Sequence, residues 1–123
     1  MITQAIQRAG YAGKVQIAMD AAASEFYDVA HKKYDLDFKN PEMHPDKFVT
    51  AAELSKIYLD FVQKYPIVSL EDPFSEHDWE AWTAFLPKAT VQVVADDITV
   101  SNPERVKEGI QKKIANALLL KVR

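Results

Sequence analysis

IVSLEDPF, residues 67–74, is the stretch whose reading decides the fold of this chain. Ile67, Val68 and Leu70 have the character of a buried strand, and that strand ends on two consecutive carboxylates, Glu71 and Asp72. Pro73 has no N–H to donate, so the paired ladder stops there. Two acids therefore leave the end of a buried strand.

The flanks repeat the arrangement. Upstream, Thr50 and Glu53 form a capping-box pattern. Leu54, Ile57, Tyr58, Phe61 and Val62 then mark one apolar helical face. Downstream, Trp79, Trp82, Phe85 and Leu86 make a second helical stripe, read as core packing against the sheet. TVQVVADD (90–97) is another apolar strand ending on paired acids. Asn102 before Pro103 is an N-cap signal, with Val106, Ile110 and Ile114 lining the helix that follows. ALLLKV (117–122) closes the series as a strand. Near the N-terminus, ITQAIQRAGY predicts a helix with Ile2 and Ile6 on one face and Gly10 as its C-cap, and KVQIAMD (14–20) a strand ending at Asp20. Between them and Thr50, HKKYDLDFKNPEMHPDKF (31–48) is polar and carries two prolines, which predicts a loop excursion with a short strand at YDLDF.

The order is β-α-β-α-β-α-β, with apolar strands of the kind buried in parallel sheets. Glu71 to Asp96 and Asp96 to Lys121 are each 25 residues, while Asp20 to Glu71 is 51 because the excursion sits inside that unit. A charged residue thus leaves each strand at its C-terminal end. In a parallel barrel those ends converge on one pocket, whereas in an open doubly wound sheet they splay apart. The expected fold is therefore α/β, a partial (β/α)8 TIM-like barrel. Its strands near 14–20, 67–71, 91–96 and 117–122 should be parallel neighbours in chain order, joined by right-handed crossovers.

Composition bounds the function. The 123 residues suffice for one domain, and 48% hydrophobic with 27% charged residues is globular rather than disordered. A net charge of −3 gives no footprint for nucleic acid or an anionic membrane. No apolar run is long enough to span a bilayer, and MITQAIQRAGYAGK has no apolar signal core, so a cytoplasmic protein is expected. The absence of cysteine excludes disulfides, thiolate zinc sites and cysteine nucleophiles.

Three converging carboxylates would repel and raise each other's pKa. A divalent cation resolves this, and oxygen-only donors select a hard ion, Mg²⁺ best of all. Glu71 is the expected ligand at its strand, and Asp72 is open to a different role, orienting a neighbour or capping the turn. Lys121 follows three leucines, so it is expected to leave a buried strand beside the cation with a lowered pKa, as a base. A lysine base next to a metal-polarised carboxylate suits proton abstraction α to that carboxylate. Against this, a lone acid at a strand end is more often an N-cap or solvated loop residue. His31, His44 and His77 share no metal-ligand spacing and read as surface residues. VVADD looks like the acidic strand end of a P-loop NTPase, but the chain has no GxxxxGK[ST].

GKVQIAMDAAASEFY, KYDLDFKNP, YPIVSLEDPFSEHDWEAW, QVVADDITVSNPERV and NALLLKV resemble, in order, the barrel domain of enolase, the phosphopyruvate hydratase of glycolysis. The resemblance covers essentially the whole chain. It implies Asp20, Glu71 and Asp96 as Mg²⁺ ligands, with Glu71 and Asp96 also against the substrate. It implies Lys121 as the base that takes the C2 proton of 2-phosphoglycerate. The implied reaction is reversible dehydration to phosphoenolpyruvate through an ene-diolate, in an enzyme that is a homodimer. It also implies that residues 1–123 are a central barrel segment. The N-terminal domain, the first and last barrel units, the glutamate that assists hydroxyl loss, the lid loops and the phosphate-holding residues would lie outside it. Arg123 stands where the family continues LLLKVNQIG. A catalytically inactive half-barrel acting through its unpaired sheet edges is the alternative.

Overall fold

The apolar strands pair as their pattern predicts. A computed structural model describes residues 1–40, 42 and 44–122. Pro41, one of the two prolines that mark the excursion, and Arg123, the departure at the chain end, lie outside the described residues. The strands β1 (Ile17–Asp20), β4 (Ile67–Glu71), β5 (Gln92–Ala95) and β6 (Ala117–Leu118) form one sheet in the order β1-β4-β5-β6, every neighbour parallel. Helices α2 (Ala51–Lys64), α3 (Trp79–Phe85) and α4 (Pro103–Lys112) fall between successive strands. The sheet is open, with β1 and β6 at its edges. Burial along the strands is accordingly incomplete. Leu70, Val93 and Ala95 are buried, but Val68 is 39% exposed, because the described strands do not close a barrel around their second face.

The excursion differs from its expectation. A two-stranded antiparallel ribbon pairs β2 (Tyr27–Asp28) with β3 (Lys33–Tyr34), and the strand expected over YDLDF stops at Tyr34. Leu36 and Phe38 sit in a turn and remain exposed, so the apolar alternation there marks no buried face. The ribbon is outside the parallel sheet. Tyr34 fastens it to the body: its buried hydroxyl donates to Asp78 Oδ2 (2.9 Å) and accepts from the Ser75 amide (3.2 Å).

Local signals set the helix ends. The Glu53 amide donates to Thr50 Oγ1 (3.3 Å) while the Thr50 amide donates to Glu53 Oε2 (2.8 Å), a reciprocal capping box. Asn102 Oδ1 accepts from the amides of Glu104 (2.9 Å) and Arg105 (3.2 Å). Helix α1 (Ile2–Arg8) ends on Gly10, whose φ of 77° allows a left-handed turn with bonds from Gly10 N to Gln7 O and from Tyr11 N to Ile6 O. Helix α4 is shorter on its apolar side than its periodicity predicts. Lys113, left-handed at φ 54°, ends α4 before Ile114, and Ile110 is 73% exposed. Ile114 instead folds back over Gly109, where a Cβ would meet Ile114 Cδ1 at 3.0 Å.

The core is an aromatic cluster under the sheet, with Phe74 at its centre. Its ring centroid lies 6.0 Å from Tyr34, 5.9 Å from Tyr58 and 5.3 Å from Phe85. Trp82 is buried beside it and donates its indole N–H to the Ser75 carbonyl (3.1 Å). The Tyr58 hydroxyl is buried and has no hydrogen-bond partner among the described residues. Removing a buried, unbonded polar group relieves its desolvation, so Tyr58→Phe is expected to stabilise the fold by up to about 1 kcal/mol. A urea midpoint lower than that of the parent chain would contradict this.

Candidate metal centre at the strand tips

Strand register brings the acids together. Asp20 pairs directly with Glu71 across β1 and β4, so two carboxylates leave neighbouring strands at the same level. Glu71 is in register with Val94, and Asp96 follows one residue beyond the end of β5. The chain then turns sharply after the strands. Ala22, Asp72, Val100 and Ser101 all have positive φ, between 42° and 56°. For Val100, a β-branched residue, that conformation is strained, and such strain gathers where a loop must hold a set shape.

Each acid has a distinct setting. Asp20 Oδ1 accepts from the Ala22 amide (3.0 Å), which orders the turn after β1. Burial, and then the negative charges of Asp20, Asp96 and Asp72, push the Glu71 carboxyl above the usual carboxylate range. Asp72 is buried, and its two oxygens accept from the amides of Asp96 (Oδ1, 3.0 Å) and Asp97 (Oδ2, 3.0 Å). Burial raises its pKa, and those two amide bonds oppose the rise. Asp97 is also raised, by burial first and by Asp96 second.

Lys121 reaches the same place. Its ammonium lies 2.7 Å from Asp96 Oδ2, and its amide is held by Ser101 Oγ (2.8 Å). One expectation about this lysine, that it leaves a buried strand, does not hold. β6 pairs over only two residues, so Lys121 lies beyond the strand and its side chain is 54% exposed. With the acids alone around it, its pKa is raised, because the hydrogen bond it donates to Asp96 and the neighbouring acids favour the ammonium.

Among the described residues, Asp72, Asp96 and Asp97 form an acidic group in which one carboxylate oxygen from each lies within 4.8 Å of the others. Of the three ligands inferred from the sequence, Asp96 belongs to that group, while Asp20 and Glu71 stand beside it on the next strand ends. Sequence reasoning assigned Asp97 no role. The available signal was that ADD, like LED, carries a second acid next to the first. The oxygen-only donor set and the mutual repulsion registered at Glu71 fit a hard divalent cation. His31, His44 and His77 are absent from the cluster: His31 pairs with Asp28 (2.9 Å), His44 with Asp46 (2.5 Å), and His77 lies 3.9 Å from Glu76.

A separate groove of about 280 Å³ lies between α4 and β6, lined by Val106, Ile110, Ile114 and Leu118 among others, and none of the acids lines it. Among the described residues, no helix is long and apolar enough to cross a membrane. The four-stranded parallel sheet, the interleaved helices and the acids at the strand tips accord with a family model that matches this chain. The family model for "Enolase, C-terminal TIM barrel domain" matches residues 1–123. The chain belongs to the enolase C-terminal TIM barrel domain family.

Proposed function

We propose that this chain supplies the cation-holding carboxylates and the base of an enolase, acting in the reversible dehydration of 2-phosphoglycerate to phosphoenolpyruvate. The observation that carries the reading is the meeting of strand-tip acids with Lys121, 2.7 Å from Asp96. Asp20, Glu71 and Asp96 are the proposed Mg²⁺ ligands. Asp72 is left out of that set because both its oxygens are already committed to backbone amides. Bound Mg²⁺ would supply positive charge to neutralise the acids and polarise the substrate carboxylate. Lys121 takes the proton from C2, the C3 hydroxyl leaves as water on receiving a proton from an acid outside residues 1–123, and Glu71 and Asp96 lie against the substrate. The remaining barrel units of a longer polypeptide, a homodimer in this reading, would provide the phosphate grip and the lid.

Calorimetric titration of the chain with Mg²⁺ tests the site directly. Saturable binding that weakens at least about tenfold in both Glu71→Gln and Asp96→Asn is expected. No binding, or binding indifferent to both substitutions, would sink the proposal. A second reading, a non-catalytic segment that associates through its open edge, draws on the exposed Ile110, Leu118 and Leu120. It predicts association without any dependence on Mg²⁺.

A further inference from the structure

Asp72 is used more completely than any ligand candidate around it. Its side chain is 3% exposed, and each carboxylate oxygen accepts one of two consecutive amides, Asp96 and Asp97, 3.0 Å away. Its own amide donates to the Val94 carbonyl (3.1 Å), and its carbonyl accepts from Ala23 (3.1 Å). The residue therefore ties together the turn after β1, the strand β5 and the tip beyond β5. It does so from a left-handed backbone, φ 42°, which costs a non-glycine residue energy and persists only where the surroundings enforce it.

Here the two adjacent amides are taken by different oxygens of one carboxylate, so asparagine in the same pose would turn an NH₂ donor toward one of them. The other side of Asp96 is fixed as well, its carbonyl accepting from the Thr99 and Val100 amides (3.1 and 2.8 Å) and from Thr99 Oγ1 (3.1 Å). Asp96 thus has its backbone held from both directions before any ligand arrives.

We propose that Asp72 is a positioning residue for the cation site, its buried carboxylate clamping the β5 tip so that Asp96 is preorganised as a ligand. The inference rests on the cation reading above. Partners that orient a ligand in this way govern metal affinity without touching the metal. The acids flanking the clamp are Glu71, Asp96 and Asp97, and a clamp that fixes their relative positions determines how well one cation can serve them.

The test compares the chain with Asp72→Asn, Asp72→Ala and Thr50→Ala, the last removing the distant α2 cap as a control for general destabilisation. Mg²⁺ affinity is measured by calorimetry, amide hydrogen exchange at Asp96 and Asp97 by NMR, and folding by circular dichroism. Expected are Mg²⁺ binding about 10–100-fold weaker in Asp72→Asn and faster exchange at those two amides, with both properties preserved in Thr50→Ala. Asp72→Asn binding Mg²⁺ like the parent chain overturns the positioning role alone. Equal weakening in Thr50→Ala also overturns it, by reducing the effect to stability. If Asp72→Asn fails to fold, exchange in the parent chain without Mg²⁺ decides: exchange of the Asp96 and Asp97 amides as fast as that of exposed turn amides overturns the clamp, and strong protection of both supports it. A parent chain that binds no Mg²⁺ overturns the cation reading itself, and the inference with it.

Discussion

Replacing Lys121 with alanine is expected to slow Mg²⁺-dependent formation of phosphoenolpyruvate by about 10²–10⁴-fold in a polypeptide that carries these residues within a closed barrel, the usual cost of losing a positioned base. The proposal gives Lys121 the C2 proton and leaves no second amine beside Asp96 to take it: among the described residues, the ion pair at Asp96 is made by Lys121 alone. Lys121→Arg should rescue little, because guanidinium stays charged and cannot act as a base. By contrast, the 123-residue chain on its own is expected to show no turnover near an enolase rate. Its Lys121 side chain is 54% exposed and its sheet is open, so the site does not exclude water and its electrostatic interactions are screened. A coupled assay on the chain and on its Lys121→Ala variant decides the matter. Robust Mg²⁺-dependent turnover that disappears in Lys121→Ala would show the four-stranded unit to be sufficient and this expectation wrong.

Phe74→Ala should be the most damaging change to the fold, at about 3–5 kcal/mol. Phe74 is 1% exposed and packs against Tyr34, Tyr58 and Phe85, rings contributed by the excursion, α2 and α3. Truncation leaves a cavity that those rings cannot fill together, since each is fixed by a different element. Against the total stability of about 5–15 kcal/mol typical of a domain, such a loss removes a large fraction of what holds the chain folded. Phe74→Leu, which keeps most of the buried volume, should cost clearly less. Urea unfolding followed by circular dichroism gives the comparison, and equal midpoints for Phe74→Ala and the parent chain would refute the central role of this ring. The effect on the site should be indirect but large, because Phe74 anchors the turn that follows Glu71 at the end of β4 and contains Asp72.

Sequence pattern captured the parts of this protein that repeat. The four apolar runs ending in charge gave the strands and their parallel order, and the signals at Thr50 and Asn102 gave the starts of α2 and α4. Those features are local: a cap is a bond across three residues, and strand character is a property of five or six side chains. The ribbon of β2 and β3 escaped because its two-residue strands are too short for any period to register, and its position depends on Tyr34 bonding to Asp78, 44 residues away. The spacing of Val106, Ile110 and Ile114 predicts one helical face, yet Ile110 is exposed, because burial requires a neighbouring element and periodicity alone says nothing about whether one is there.

The candidate site divides along the same line. By itself the sequence determined which residue types leave the strand tips: Asp20, Glu71 and Asp96 as acids and Lys121 as the lone amine, spaced once per βα unit. Only the tertiary structure decided which of them meet. Strand register set Asp20 opposite Glu71, the left-handed turn at Asp72 aimed a buried carboxylate at the amides of Asp96 and Asp97, and the open edge beside β6 left Lys121 exposed in an ion pair. A carboxylate's role depends on which donors reach its oxygens, and the donors to Asp72 come from residues 24 and 25 positions along the chain, brought within 3.0 Å by the pairing of β4 with β5.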